Sequence, residues 1–329
     1  MEPEPMPFST DHTHPSELLS QAVKRVREEV QKVIIGQDDF IELLLAALFC
    51  GGHLLVEGVP GIAKTLTSKL LAQTLQLEFS RIQFTPDLMP SDVLGTTVYN
   101  VKHGEFSFSP GPIFSNLILI DEINRAPAKT QAALFEVMEE AQITVDGRTY
   151  PMDAIFFVMA TQNPIEQEGT YKLPEAQLDR FLLKIVLEYP SLEQEQAMLR
   201  RFSQDFRTDF RQKVKPIIGA KEILACRQWV EAITIQEELL DYIALLVHRT
   251  RNHGDLFLGA SPRASLAMMK MSKAMAAIRG RDFVTPDDIQ QVAFPVLQHR
   301  MLLTPEREIE GYRIVDVIRD ILSTVPVPR

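Results

Sequence analysis

Residues 58–65 read Gly-Val-Pro-Gly-Ile-Ala-Lys-Thr, and a second stretch, Leu117-Ile118-Leu119-Ile120, ends in Asp121-Glu122. Together they hold the side chains needed to bind and cleave a nucleoside triphosphate. Glycines in the run Gly58, Val59, Pro60, Gly61, Ile62, Ala63 let the backbone wrap a phosphate with several N–H groups facing it. A strand-like run, His53 to Val56, precedes this loop, and a helix-like run starting at Leu66 follows it. That order is the context a phosphate-binding loop requires. The start of the helix adds the positive end of its dipole, so Gly58 through Leu66 form the expected nucleotide-binding segment. Lys64 would reach the β- and γ-phosphates, and the Thr65 hydroxyl would ligate Mg²⁺. For the loop alone, the alternative is a glycine-rich turn before a helix.

The usual pattern has glycine directly before the lysine, and this chain has Ala63. Its methyl group fits if the position takes an ordinary negative φ and the phosphate leaves room. The acidic pair supports the phosphate reading. Four branched apolar residues in a row predict a strand buried on both faces of a parallel sheet, and ligands bind beyond the carboxyl ends of such strands. Asp121 would hold Mg²⁺ through a water, and Glu122 would polarise the attacking water. An ordinary buried strand ending in a solvated acidic turn is the alternative, and its coincidence with a Lys-Thr loop argues against it.

These groups need a scaffold, and 329 residues are enough for about two domains with a large core. A hydrophobic fraction of 45% and a charged fraction of 24% belong to ordinary globular chains. The formal charge of −10 argues against a dedicated duplex-binding surface. Only Cys50 and Cys226 are present, so no disulfide framework or cysteine metal site is expected, and the cytosol is the natural compartment. No apolar stretch reaches the roughly 18 residues that span a bilayer. Met1 to Pro15 lacks the basic-then-apolar pattern of a signal peptide and reads as a disordered tail, with His12 and His14 solvated in it.

Helical spacing predicts a first helix over 16–33 and a second over 38–49. From His53 to Leu187 strands at 53–56, 79–84, 117–120, 155–160 and 182–187 alternate with helices at 65–76 and 128–141, which predicts βαβ units and a parallel sheet. Residues 93–110 alternate around His103-Gly104, and 143–152 around Asp146-Gly147, so both read as hairpins. After Pro190 the periodicity is helical, at 191–202, 220–230, 236–250, 262–278, 286–298 and 312–323, with no convincing strand pairs. Polar residues 203–216 read as a connection. Ser261-Pro262 and Thr285-Pro286 mark two helix starts. The expected division is a tail at 1–15, an α/β nucleotide-binding domain at 16–190 and a smaller all-helical lid at 191–329. Trp229 and the cluster Met268, Met269, Met271 and Met275 read as helix-core packing.

Four motifs arrive in order: Gly-x-Pro-Gly-x-Ala-Lys-Thr, Asp121-Glu122-Ile123-Asn124-Arg125-Ala126, Ala160-Thr161-Gln162-Asn163-Pro164, and Pro174-Glu175-Ala176-Gln177-Leu178-Asp179-Arg180-Phe181. They resemble the MoxR family of AAA+ ATPases over nearly the whole chain after about residue 20. The resemblance implies a P-loop parallel-sheet core with helices on both faces and a helical lid. Ala63 is usual in that family. Ile35 and Gly36 would line the adenine pocket, with Gln37 beside them; a helix-to-helix turn explains Gly36 equally well. Asn163 would be the sensor that orients the attacking water, Arg180 the arginine finger acting on a neighbouring subunit, and Arg263 the lid's sensor arginine, in cis or from a neighbour. On the residues alone, Asn163 reads as a turn asparagine, Arg180 as an ion pair with Asp179 or Glu175, and Arg263 as a solvated first-turn arginine. Arg125 either contacts a neighbouring subunit or caps a loop.

The resemblance further implies ATP and Mg²⁺, a homo-oligomer built as a hexameric ring, a protein client, and a partner carrying a von Willebrand factor A domain. Chaperone-like remodelling, metal insertion or partner activation would be the output. A metal-chelatase motor subunit is the near alternative. A DNA helicase-type motor is disfavoured because hairpin 93–110 carries Lys102 and His103 but no basic cluster. A non-hydrolysing ATP-binding scaffold is disfavoured by the presence of every catalytic candidate.

Overall fold

The computed structural model describes residues 15–59, 61–102, 104–163, 170–203 and 213–328. The tail with His12 and His14, and also Pro60, His103, Pro164 and most of connection 203–216, lie outside the described residues. The chain begins α1 (Pro15–Gln31), α2 (Asp38–Phe49), β1 (Leu54–Gly58), α3 (Lys64–Thr74), β2 (Phe79–Gln83), α4 (Pro90–Leu94), β3 (Gly95–Asn100), β4 (Glu105–Pro110) and β5 (Leu117–Asp121). A 3-10 turn at Ile123–Arg125 leads to α5 (Ala128–Glu140), β6 (Gln142–Val145), β7 (Arg148–Pro151), β8 (Phe157–Gln162), α6 (Glu175–Leu178) and β9 (Leu183–Leu187). Then come α7 (Leu192–Phe202), α8 (Ala220–Ala232), α9 (Glu237–Arg251), β10 (Leu256–Leu258), α10 (Pro262–Ile278), α11 (Pro286–Leu297), β11 (Leu302–Leu303), α12 (Pro305–Ile309) and α13 (Ile314–Thr324).

Five strands pair in parallel in the order β2-β5-β8-β1-β9. Side chains along a strand alternate between faces, and here each face has its own core. Leu117 and Leu119 of β5 join the cluster containing α2, α3 and the later helices, whereas Ile118 and Ile120 join the one containing Leu134 and Phe135 of α5. β1 divides in the same way, Leu54 and Val56 against Leu55. This explains why the central strands read as unbroken apolar runs. Each such side chain contributes roughly 1.5–3 kcal/mol by leaving water.

The two hairpins form as the alternation predicts, though Val93 and Leu94 belong to α4 and pairing starts at Gly95↔Pro110. Asp146 and Gly147 both take positive φ, 50° and 74°, as the tight turn between β6 and β7 demands. Thr97 Oγ1 donates to Asp146 Oδ2 at 2.6 Å and Phe108 stacks on Tyr150 at 4.3 Å, so the two hairpins are joined.

The second half corrects one expectation. It is not wholly helical, because β10 pairs antiparallel with β11 through Leu256↔Leu303 and Leu258↔Leu302. Strands of three and two residues are too short to display a period in sequence. The short helices α4, α6 and α12 escape notice for the same reason. Ser261 does cap α10, its Oγ accepting the N–H of Arg263 at 3.1 Å. At Thr285 the roles reverse: Asp288 reaches back and accepts both the N–H and the hydroxyl of Thr285. Met268, Met271 and Met275 are fully buried, and Trp229 packs at the margin of the same core.

His53 sits just before β1 and joins two elements. Its Nε2 lies 3.1 Å from the carbonyl of Met138, and its Nδ1 accepts the N–H of Val158 at 3.1 Å. One ring nitrogen must donate and the other accept, so the ring is neutral. Burial pushes its pKa down to about 4 from 6.5, against the pull of the Met138 carbonyl. The unfolded chain therefore takes up this proton near pH 6.5 and the folded chain only near 4. Acidification through that window favours the unfolded state. We expect the stability advantage of the wild type over His53→Gln to shrink by up to about 3 kcal/mol between pH 6.5 and 4 in denaturant titrations. A difference independent of pH would contradict this.

Candidate active site

β1 ends at Gly58 and α3 begins at Lys64, so the loop between them crosses the carboxyl end of the sheet. A Cβ on Gly58 would come within 2.8 Å of Ile62 Cδ1 and 2.9 Å of the Leu187 carbonyl, leaving room for glycine alone. Gly61 takes φ +89°, which glycine tolerates, and nothing lies within 4 Å of where its Cβ would stand. The Lys64 amine donates to the Gly58 carbonyl at 2.7 Å. Burial lowers its pKa, while the carboxylates of Asp121, Glu122 and Glu57 act in the opposite direction. Lys64 and the two acids thus share one electrostatic environment.

Ala63 departs from expectation. It lies at φ 60°, ψ 21°, in the left-handed region and not at an ordinary negative φ. Its Cβ costs roughly 1–2 kcal/mol there. The surrounding loop is held from outside by Gln37, whose Nε2 donates to the Ile62 carbonyl at 2.7 Å and whose Oε1 accepts from Thr67 Oγ1 at 3.1 Å.

A cavity of about 940 Å³ opens beside the loop. Ile35, Gly36, Gly61, Ile62, Ala63 and Leu66 line it together with Leu187, Tyr189, Met198 and Phe294. Gly36 has φ +72°, and a Cβ there would collide with Gln194 at 2.7 Å. The volume and apolar walls suit a nucleotide-sized ligand. Val59 lies on the same loop, and Thr65 in the first turn of α3.

β5 carries Asp121 to the same end of the sheet, with β8 between it and β1. Thr161 of β8 holds both acids: its hydroxyl donates to Asp121 Oδ1 at 3.1 Å and accepts the Glu122 N–H at 3.0 Å. From the other side, Arg81 Nε meets Asp121 Oδ2 at 2.7 Å. Glu122 takes φ 59°, and its Oε2 accepts from Gln83 Nε2 at 2.9 Å and pairs with Arg125 Nε at 3.0 Å. Asn163, one residue beyond β8, is buried beside this strand end.

Arg180 and Arg263 lie elsewhere. Both guanidinia rest on Glu139 in the last turn of α5, Arg180 at 2.8 Å. The predicted partners of Arg180 do not hold it: Asp179 pairs with Arg300 at 2.8 Å and Glu175 with Lys172. Arg180 and Arg263 share a cleft with Gly51, Gly52 and His53, which precede β1. The loop bearing Gly61 and Ala63 follows β1, whose five residues span roughly 13 Å at about 3.3 Å each. The arginines therefore sit at the strand-start side of the sheet and Lys64 at the strand-end side.

The model of an ATPase family associated with various cellular activities (AAA) matches residues 53–183, and that of an AAA lid domain matches 248–321. Chaperone MoxR1 of Mycobacterium tuberculosis is 42% identical over 93% of this chain and 82% of its own length. The chain belongs to the MoxR family of AAA+ ATPases. Protein MoxR of Methylorubrum extorquens is 30% identical over 93% of this MoxR-family chain and 95% of its own. A crystal structure of a candidate ATPase from Cytophaga hutchinsonii superimposes with a TM-score of 0.89 at 45% identity, covering 96% of this chain and 97% of that one.

Sequence reasoning passed over Arg81, Gln83, Thr161 and Glu139 in this MoxR-family site. A signal for the first two existed: Arg81 and Gln83 stand two apart on one face of β2, which pairs with β5 in the register Gln83↔Asp121. Glu139 gave none, since an acid at the end of an amphipathic helix reads as solvated surface.

The left-handed Ala63 yields a direct test. Ala63→Gly is expected to leave stability unchanged or raise it by up to about 1 kcal/mol, and Ala63→Val to lower it by more than about 1 kcal/mol, in urea unfolding. A glycine variant less stable than wild type by about 1 kcal/mol would contradict the assigned backbone.

Proposed function

We propose that this chain hydrolyses ATP with Mg²⁺ in a ring of identical subunits, and that the cycle drives chaperone-like remodelling of partner proteins. The observation that carries this reading is the meeting of Lys64, Asp121 and Glu122 at one end of the sheet, with Arg180 and Arg263 on the far side. A single subunit has the phosphate loop and the acids but not the arginines within reach of them. A head-to-tail neighbour would complete the site, and such interfaces close into rings. The division into a nucleotide-binding domain at 16–190 and a lid at 191–329 is part of the same proposal, supported by the change from strands to helices near Pro190.

The residues present fit a magnesium triphosphate. Gly61 leaves open space where a side chain would stand, the cavity beside it has nucleotide dimensions, and Thr65 and Asp121 offer the hard oxygen donors that Mg²⁺ requires. The metal, when bound, would neutralise charge on the β- and γ-phosphate oxygens. Lys64 would exchange its Gly58 carbonyl for those oxygens. Ile35 and Gly36 would face the base. Glu122, held by Gln83 and Arg125 on one carboxylate oxygen, keeps the other to accept a proton from water. Asn163 would orient that water. Arg180 and Arg263 of one subunit would meet charge developing on the phosphate bound by the next. A partner with a von Willebrand factor A domain, a cytoplasmic location and six-fold ring size belong to the same reading, supported by family membership. No helix among the described residues is long and apolar enough to cross a membrane.

Phosphate-release assays test this. Glu122→Gln should bind ATP as wild type while turnover falls at least about 100-fold; undiminished turnover would remove Glu122 as the base. Arg180→Ala should bind nucleotide normally and lose roughly 1,000-fold in turnover. Mixing it with Glu122→Gln should restore activity, because each supplies what the other lacks. Absence of rescue at every ratio would argue against action across subunits.

A further inference from the structure

Glu139 occupies the last turn of α5, where the carbonyl end of a helix disfavours an acid. Its carboxylate is divided between two arginines from distant parts of the chain: Oε2 meets Arg180 and Oε1 meets Arg263, each through one terminal guanidinium nitrogen. The segments bearing those arginines are also tied to each other. Asp179, beside Arg180, accepts the hydroxyl of Ser261, two residues before Arg263, at 2.8 Å. The other oxygen of Asp179 accepts Arg300 Nε at 2.8 Å. Arg300 is buried and also donates to the carbonyls of Leu182 and Asp179, at 3.1 and 3.2 Å.

The backbones beneath both arginines are thus anchored by shielded groups, while the guanidinia stay partly open, their side chains 31% and 48% exposed. Arg180 Nε is buried without a hydrogen-bond partner among the described residues. Arg180 and Arg263 pair with Glu139, and Arg300 with Asp179, while Glu136 and Glu140 line the cleft on the other side of Arg180. Two partly exposed guanidinia, each holding Glu139 through one nitrogen, keep donors for a second anion.

We propose that Glu139 is a positioning residue: it bridges Arg180 and Arg263 so that both guanidinia present themselves to one phosphate on the neighbouring subunit. This rests on the reading of those arginines as acting in trans. An unbraced arginine samples many rotamers, and ordering two of them during the reaction would fall on the barrier. Fixing them beforehand removes that cost. Glu139 itself touches no nucleotide. It leaves the phosphate loop of its own subunit unaffected, since that loop lies at the opposite end of β1.

The test uses the full chain, with ATP turnover and binding of a fluorescent ATP analogue measured side by side. Glu139→Ala should lower kcat roughly 10- to 100-fold, while nucleotide affinity and the unfolding midpoint stay at wild-type values. Mixing it with Glu122→Gln should raise turnover above the sum of the separate proteins, because the second variant brings a braced arginine pair to the first one's intact acids. A loss caused by misfolding of the subunit would instead lower the unfolding midpoint or the nucleotide affinity. Should the alanine variant fail to fold, Glu139→Gln keeps the shape without the charge, and the same drop and rescue are expected of it. Wild-type kcat in Glu139→Ala, with Arg180→Ala inactive, would overturn the bridge and leave the trans arginines standing. A deficit that mixing cannot repair, where mixing does repair Arg180→Ala, would overturn it as well. Full activity in both Arg180→Ala and Arg263→Ala would remove the underlying reading instead.

Discussion

Thr161 lies in the middle of the parallel sheet with 2% of its surface exposed, and its one hydroxyl serves both acids of the site. It donates to the Asp121 carboxylate and accepts the Glu122 N–H, so the strand order β5-β8-β1 sets where the acids stand relative to the phosphate loop. A slip of one residue between β5 and β8 would turn every side chain of β5 to the other face. The two separate cores prevent it, because leucines would have to exchange with isoleucines across a close-packed sheet. The placement of Asp121 and Glu122 at one end of the sheet is in this sense a product of apolar packing along its whole length.

Local conformation around the acids and loop carries some strain in return. Ala63 and Glu122 both sit in left-handed backbone, one in the loop after β1 and one directly after β5. Such positions persist when surrounding structure over-determines them. Here Gln37, just before α2, grips the loop, Thr161 holds the Glu122 N–H, and Gln83 and Arg125 hold one oxygen of its carboxylate. The elements that hold these residues are among the most deeply packed of the chain, with Leu44, Leu45 and Leu48 of α2 fully buried.

Much of this was legible in the residues. Unbroken apolar runs mark the central strands because parallel strands are covered on both faces, and two glycines mark the loop, Gly58 because no Cβ fits there and Gly61 because its φ is positive. What stayed hidden depended on contacts between distant segments. Nothing in the run Glu139-Glu140 distinguishes a bridge for two arginines from a solvated helix end, and Arg300 in Gln298-His299-Arg300 shows no periodicity that would reveal a buried anchor. The backbone of Ala63 cannot be read from its residue type: propensity resists a left-handed alanine, and the position is held from Gln37 through the Ile62 carbonyl. The pair β10 and β11 was missed because five residues cannot show a pattern.

The placement of the arginines gives the fold a polarity, on which the proposed function rests. Phosphate loop and acids face one way, Arg180 and Arg263 the other, with the length of β1 between them. The most direct test of the central claim is calorimetric titration of a non-hydrolysable ATP analogue, with and without Mg²⁺, into the wild type and Lys64→Ala. Saturable binding that strengthens with Mg²⁺ and is lost in the variant is the predicted result. Equal heats from both proteins, or none from the wild type, would contradict the assignment of this strand end as a nucleotide site.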